Sequence, residues 1–173
     1  MAGRRLLTIA IPVPDPWGRV VDEARLRLQP GRRHMTAHIT LIPPFRVVED
    51  DLGDVLARAT GVIRAFPPFA VALRGTATFD DTSTTVFIPV VDGGVQCASL
   101  RSALADRLSR ESNDPMVPHV TIVNRADAAT MHLASSAFEG FDAEFTVGRV
   151  CVYESGAEGW AVITAVDTAG TGA

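Results

Sequence analysis

The chain contains no lysine: all sixteen basic residues among its 173 are arginine, set against twenty acidic residues for a net charge of -4. That balance excludes a broad basic face for duplex DNA, because such grip grows with the number of phosphates neutralised. Any side-chain cation that meets an anion here does so through a planar guanidinium fork, a geometry well matched to phosphate. Cysteine is nearly absent. Cys97 and Cys151 stand in no C-x-x-C or Cys/His spacing, which argues against a disulfide framework and a thiolate metal site and predicts two free thiols in a reducing cytoplasm. No apolar run reaches the ~20 residues needed to cross a bilayer. Arg4-Arg5 before Leu6–Ile11 has the charge order of a leader, but the run is short and is cut by Pro12, Pro14 and Pro16, so it is expected to be a first strand. Aromatic residues make up only 6%, with one tyrosine and two tryptophans. Stacking platforms for long single-stranded RNA are therefore few.

What remains is an ordinary globular composition, 47% hydrophobic with 14 glycines and 11 prolines, at a length that suits one domain. Apolar spacings of three and four predict helices over Trp17–Leu28 (through Trp17, Val20, Val21, Ala24 and Leu28), Glu49–Ala65, Val95–Ser109 and about Asp127–Phe138. Strands are expected at Leu6–Val13 and at Ala37–Ile42, the latter closed by Pro43-Pro44. Further strands are expected at Phe69–Phe79 and Thr84–Val91, joined as a hairpin through Asp80-Asp81-Thr82-Ser83. Pro118–Val123 is another, and a second hairpin pairs Ala143–Glu154 with Gly159–Asp167.

The order strand with H-x-T, helix, hairpin occurs twice. Ala37-His38-Ile39-Thr40-Leu41 answers Pro118-His119-Val120-Thr121-Ile122, with the histidines 81 positions apart, close to half the chain. Phe69–Leu73 with Thr85–Ile88 answers Ala143–Val147 with Trp160–Ile163. The expectation is an α+β fold made of a duplicated lobe, within a single domain spanning 1–173, the two lobes facing each other.

Along a strand, residues i and i+2 share one face about 6.6 Å apart. His38 and Thr40 thus face one way, with Ile39 and Leu41 toward the core, and His119 and Thr121 repeat the arrangement against Val120 and Ile122. If the lobes face each other, two imidazoles and two hydroxyls converge on one groove. That set suits phosphodiester hydrolysis: a neutral imidazole takes a proton from water, an imidazolium gives one to the departing alkoxide, and the threonines donate to phosphate oxygens. No metal is needed for that arrangement. A structural use of both histidines and a His/His metal site without a visible third ligand are the competing readings.

The motifs His38-Ile39-Thr40-Leu41 and His119-Val120-Thr121-Ile122 resemble those of the 2H phosphoesterase superfamily, and within it the bacterial 2'-5' RNA ligases and RNA 2',3'-cyclic phosphodiesterases. His38 through Phe45 is similar to the first motif of the branch with a Pro-Phe ending. The resemblance covers about Leu6 to Asp167. It implies a bilobal fold with two antiparallel sheets, helices outside and a central groove. It also implies catalysis without a cofactor or metal, with His38, His119, Thr40 and Thr121 as the catalytic set. The substrate implied is a small cyclic or 2'-5' phosphodiester, or an RNA-terminal phosphate, and neither duplex DNA nor membrane is an expected partner.

RNA-active members often continue the second motif with a small residue and arginine. Here Val123-Asn124-Arg125 follows, which puts Arg125 forward as a substrate contact. Phe45 is put forward as a contact to a base, against the alternative of core packing. Arg32, Arg33 and His34 are candidates for an anion-binding rim. Trp17 and Trp160 suit core packing, and His132 a surface position. His119 is expected to act as base and His38 as acid. A non-catalytic nucleotide-binding module and RNA end-joining are the alternatives to hydrolysis.

Overall fold

The computed structural model describes residues 3–33, 35–110 and 115–170. Strands β1 (Arg4–Pro12), β2 (His38–Val48), β3 (Phe69–Arg74), β4 (Val86–Asp92), β5 (His119–Val123), β6 (Asp142–Val147), β7 (Arg149–Gly156) and β8 (Gly159–Asp167) alternate with four helices. These are α1 (Trp17–Leu28), α2 (Leu52–Ala65), α3 (Gly94–Arg107) and α4 (Ala128–Phe138), with a 3-10 turn at Glu49–Asp51 leading into α2. The strands form two antiparallel sheets, ordered β2-β1-β7-β8 and β5-β4-β3-β6. One hydrophobic core joins them: Leu7, Ile9, Ile39 and Leu41 of the first sheet pack with Leu73, Ile88, Val120 and Ile122 of the second.

Three strand expectations change. The strand expected at Phe69–Phe79 ends at Arg74, after which a single bridge joins Ala77 to Phe87. Pro43-Pro44 does not close β2; the strand continues to Val48. β2 is a sheet edge, where a residue without N–H costs no ladder bond on the open side. The two prolines sit in a bulge, because Leu7 pairs with Phe45 while Ile9 pairs with Ile42. The Thr8 hydroxyl bridges the irregularity by donating to the Ile42 carbonyl at 2.7 Å. The expected strand 143–154 is two strands, β6 in the second sheet and β7 in the first, with Gly148 at the crossing between them.

The sheets are therefore not built from sequential halves. The first combines both chain ends (β1, β2, β7, β8) and the second takes the middle. The repeat lies in strand–helix–strand units instead. In β1-α1-β2 and β4-α3-β5, a histidine opens the edge strand and stands opposite a proline, His38 against Pro12 and His119 against Pro89. The residue after that proline donates its N–H to the carbonyl before the histidine in both units, Val13 to Ala37 at 2.9 Å and Val90 to Pro118 at 3.1 Å. The other matched segments do not correspond: β3 and β6 pair with each other in one sheet.

The helices cross over. α1, which connects two strands of the first sheet, packs on β5 of the second; α3, which connects two strands of the second, packs on β2 of the first. The stripe that α1 buries is Gly18, Val21, Ala24 and Arg25, and Val20, expected inside, is 46% exposed. Gly18 is required by the close approach, since a Cβ there would lie 2.4 Å from the Val13 carbonyl oxygen.

Candidate active site in the groove between the sheets

The two edge strands that open with histidine, β2 and β5, lie against each other. Burial follows the alternation of the sequence: Ile39 and Leu41 are enclosed while His38 and Thr40 are half-buried, and Val120 and Ile122 are enclosed while His119 and Thr121 are half-buried. His38 and Thr121, one from each motif, line the same cavity of about 260 Å³.

Both imidazoles are held the same way. The His38 Nδ1–H donates to the Thr36 carbonyl at 2.6 Å, and the His119 Nδ1–H donates to the Val117 carbonyl at 2.6 Å. With Nδ1 committed to a carbonyl two residues back, each ring keeps Nε2 for proton exchange: an acceptor when neutral, a donor when protonated. Burial lowers the affinity of both rings for a proton. For His38 burial is the largest cause, the Thr36 carbonyl opposes it, and the positive charges of Arg25 and His119 add to it, taking the ring to about 4. In the free protein at neutral pH both rings are therefore uncharged.

Arg25 was not singled out by sequence pattern, yet it sits between the motifs. Its Nε–H donates to the Thr121 carbonyl at 2.9 Å, with a second N–H on the same oxygen, while its Nη1 donates to the Met35 carbonyl at 2.8 Å. Asp22 lies 3.4 Å away and offsets part of its charge. One side chain, 3% exposed, thus ties β5 to the segment leading into β2. The signal was an arginine within the apolar stripe of helix α1, four residues after Val21, three before Leu28 and next to Ala24.

Aromatic rings flank each histidine. His119 meets Phe87 at 4.9 Å and Phe79 edge-on at 5.1 Å, and Phe79 is 50% exposed. His38 faces Tyr153 at 6.4 Å, whose hydroxyl is pushed up to about 12 by burial and lies against Thr36 and Cys151. The sequence pattern gives Phe79 only as the end of a strand and assigns Tyr153 no role. Trp160, read as core, packs on the Tyr153 cluster and also lines the cavity.

The other candidates fall in different places. Arg32 and Arg33 line the cavity beside His38, and His34 lies outside the described residues. Arg125 is exposed in the turn after β5, at φ +50, and is not part of that cavity's lining. Phe45 is not in the groove: it is 7% exposed in the core, seven residues along β2 from His38, with the Arg110 guanidinium 4.2 Å above its ring. The alternation that points His38 outward points Phe45 inward after the bulge. Asp80 closes the turn after Phe79 by accepting from Thr82 N–H and hydroxyl. Both cysteines are free and buried. Among the described residues no three His, Cys, Asp or Glu side chains gather as a metal site, and no helix is long and apolar enough to cross a membrane.

Comparison with known proteins agrees with this architecture. Escherichia coli LigT crystallised with 3'-AMP superposes with a TM-score of 0.74 at 20% identity, covering 96% of this chain and 99% of LigT. TT0787 of Thermus thermophilus superposes at 0.61 with 21% identity, covering 94% of this chain and 97% of that one. BH1439 of Halalkalibacterium halodurans, whose name classes it provisionally as a phosphoesterase, is 24% identical over 114 residues, 66% of this chain and 67% of that protein. The family model of the 2'-5' RNA ligase superfamily matches residues 12–159, a span that includes both histidine strands, and the chain belongs to that superfamily of 2H phosphoesterases.

Proposed function

We propose that this protein is a metal-independent phosphodiesterase that opens a 2',3'-cyclic phosphate, or a related cyclic or 2'-5' phosphodiester, by paired histidine acid–base catalysis. The observation that carries the reading is the matched pair of imidazoles, each with Nδ1 fixed to a carbonyl and Nε2 left over, on two edge strands that lie against each other. Water attacks phosphorus as one neutral ring removes its proton, and the other ring, protonated, delivers a proton to the departing ribose oxygen. Thr40 and Thr121 donate to the non-bridging oxygens, where negative charge grows.

The cycle needs one charged and one neutral ring, and the free protein disfavours charge on both. The bound phosphate supplies the missing counter-charge, raising the proton affinity of whichever imidazole lies nearer to it. The Arg25 charge adds to the burden of burial on His38, and burial alone lowers His119, so each ring is held toward its neutral form. The order in the substrate complex follows from where the phosphate charge sits.

His38→Ala and His119→Ala are each expected to lower turnover of a 2',3'-cyclic nucleotide about 10²–10⁴-fold, in buffer without added metal, while the far-UV spectrum is unchanged. A phosphodiester with a nitrophenolate leaving group, which departs without a proton, restores activity to the variant that lost the acid and not to the one that lost the base. Full turnover surviving in both single variants rules the mechanism out.

A further inference from the structure

The cavity that His38 and Thr121 share also has a charged wall. Next to His38 and Thr121, the 260 Å³ cavity is walled by Arg25, Arg32 and Arg33, and among the described residues no carboxylate lines it. In a chain of net charge -4, three guanidinium groups around one hollow are a local reversal of sign. They are not equivalent. Arg25 spends its donors on the Thr121 and Met35 carbonyls, and Arg32 donates to the Asn124 carbonyl, closing the cavity across the groove. Arg33 is exposed, and among the described residues nothing pairs with it.

A guanidinium kept beside an anion-binding groove without a partner is a donor fork available to a ligand. We propose that the arginine-lined hollow on the His38 side is a second phosphate subsite, with Arg33 as the contacting residue. Through it the protein selects substrates that carry a further phosphate next to the scissile one. Both a 5'-phosphorylated nucleoside cyclic phosphate and the 3' end of an RNA chain present that chemistry, as a monoester in the first case and a diester in the second. A nucleoside cyclic phosphate with a free 5'-hydroxyl does not. The proposal rests on the reading that the histidine groove holds the scissile phosphate.

Three substrates separate the cases: adenosine 2',3'-cyclic phosphate, its 5'-phosphorylated form, and a dinucleotide ending in the same cyclic phosphate. The wild-type protein is expected to favour one or both of the latter in kcat/KM. Arg33→Gln is expected to shrink that ratio by roughly three- to tenfold, the size of one partly exposed charge-assisted contact. Preference for the 5'-monoester alone assigns the subsite to terminal phosphate, and preference for the dinucleotide assigns it to RNA chains. A wild-type ratio near one, or a ratio that Arg33→Gln leaves unchanged, overturns the proposal.

Binding keeps this test separate from the fate of the catalytic reading. Adenosine 3',5'-bisphosphate should bind the wild-type protein more tightly than 3'-AMP, and Arg33→Gln should remove the difference. If no cyclic phosphate is turned over yet that binding difference is present, the hydrolytic reading fails and the subsite stands. If turnover is found but the two ligands bind alike, the subsite fails alone.

Discussion

Acid should loosen this fold through His38 before it reaches the carboxylates. The ring has an ordinary pKa of 6.5 in the unfolded chain and about 4 in the native state, because burial, Arg25 and His119 all oppose its charge. A depressed native value means the unfolded state binds the proton first. The stability held above pH 6.5 is therefore lost as pH falls toward 4. At pH 5 the linkage amounts to about 2 kcal/mol, and it approaches about 3 kcal/mol below pH 4, a large share of the ~5–15 kcal/mol typical of a domain. His119 shifts in the same direction and adds to the slope. Asp80, Asp127 and Glu154 are held below the usual carboxylate range, so they contribute at lower pH. Urea unfolding at pH 7.5 and pH 5.0 reads the effect as a fall in midpoint of about 1 M. His38→Asn keeps a polar side chain at that position and removes the titration, so its midpoint should fall by clearly less over the same interval. An equal fall in both proteins would falsify the claim that His38 is held neutral by its surroundings.

Two further substitutions test how the groove is held and what it reads. Arg25→Gln strands the Thr121 and Met35 carbonyls in a buried place and should cost about 2–4 kcal/mol in urea unfolding. It also removes a cation from beside His38, so the acid limb of the kcat/KM–pH profile should move to higher pH, a shift that a purely structural brace would not produce. Phe79→Ala takes away the exposed ring beside His119 and should raise KM for a nucleotide about five- to tenfold, at the low end of stacking energies, while leaving the cyclic phosphate of a simple alkyl diol unaffected. Equal losses on both substrates would place Phe79 in the packing of Phe87 and His119.

Much of this molecule was legible because its signals are local. Helix α1 begins and ends where the spacing of its apolar residues puts it, and the two H-x-T strands expose their polar side as a period of two requires. The misreadings arose where a non-local fact decides. Whether Pro43-Pro44 ends a strand depends on whether that strand is an edge, which only its neighbours determine. The run 143–154 looks continuous, and only the pairing partners show that it changes sheets at Gly148. Arg25 is a polar residue in an apolar stripe, and its meaning appears once α1 is seen to lean across onto the other sheet's edge strand.

The same contrast explains why the repeat survives in so few residues. The elements that recur are a histidine opening an edge strand, a proline opposite it, a carbonyl two residues back on Nδ1, and a threonine two residues on. Each sets the position or tautomer of an imidazole or the place of a hydroxyl beside it, and the acid–base role proposed for the pair would tolerate little error in either. Sheet composition, hairpin lengths and helix faces are constrained only to keep β2 against β5, and many sequences satisfy that. Divergence could therefore scatter strands of the two halves across both sheets while the geometry at the groove stayed paired. The unpaired features, Arg25 and Arg33 on one side and Phe79 on the other, are where a symmetric groove acquires a direction, and hence where it can distinguish the two ends of a substrate.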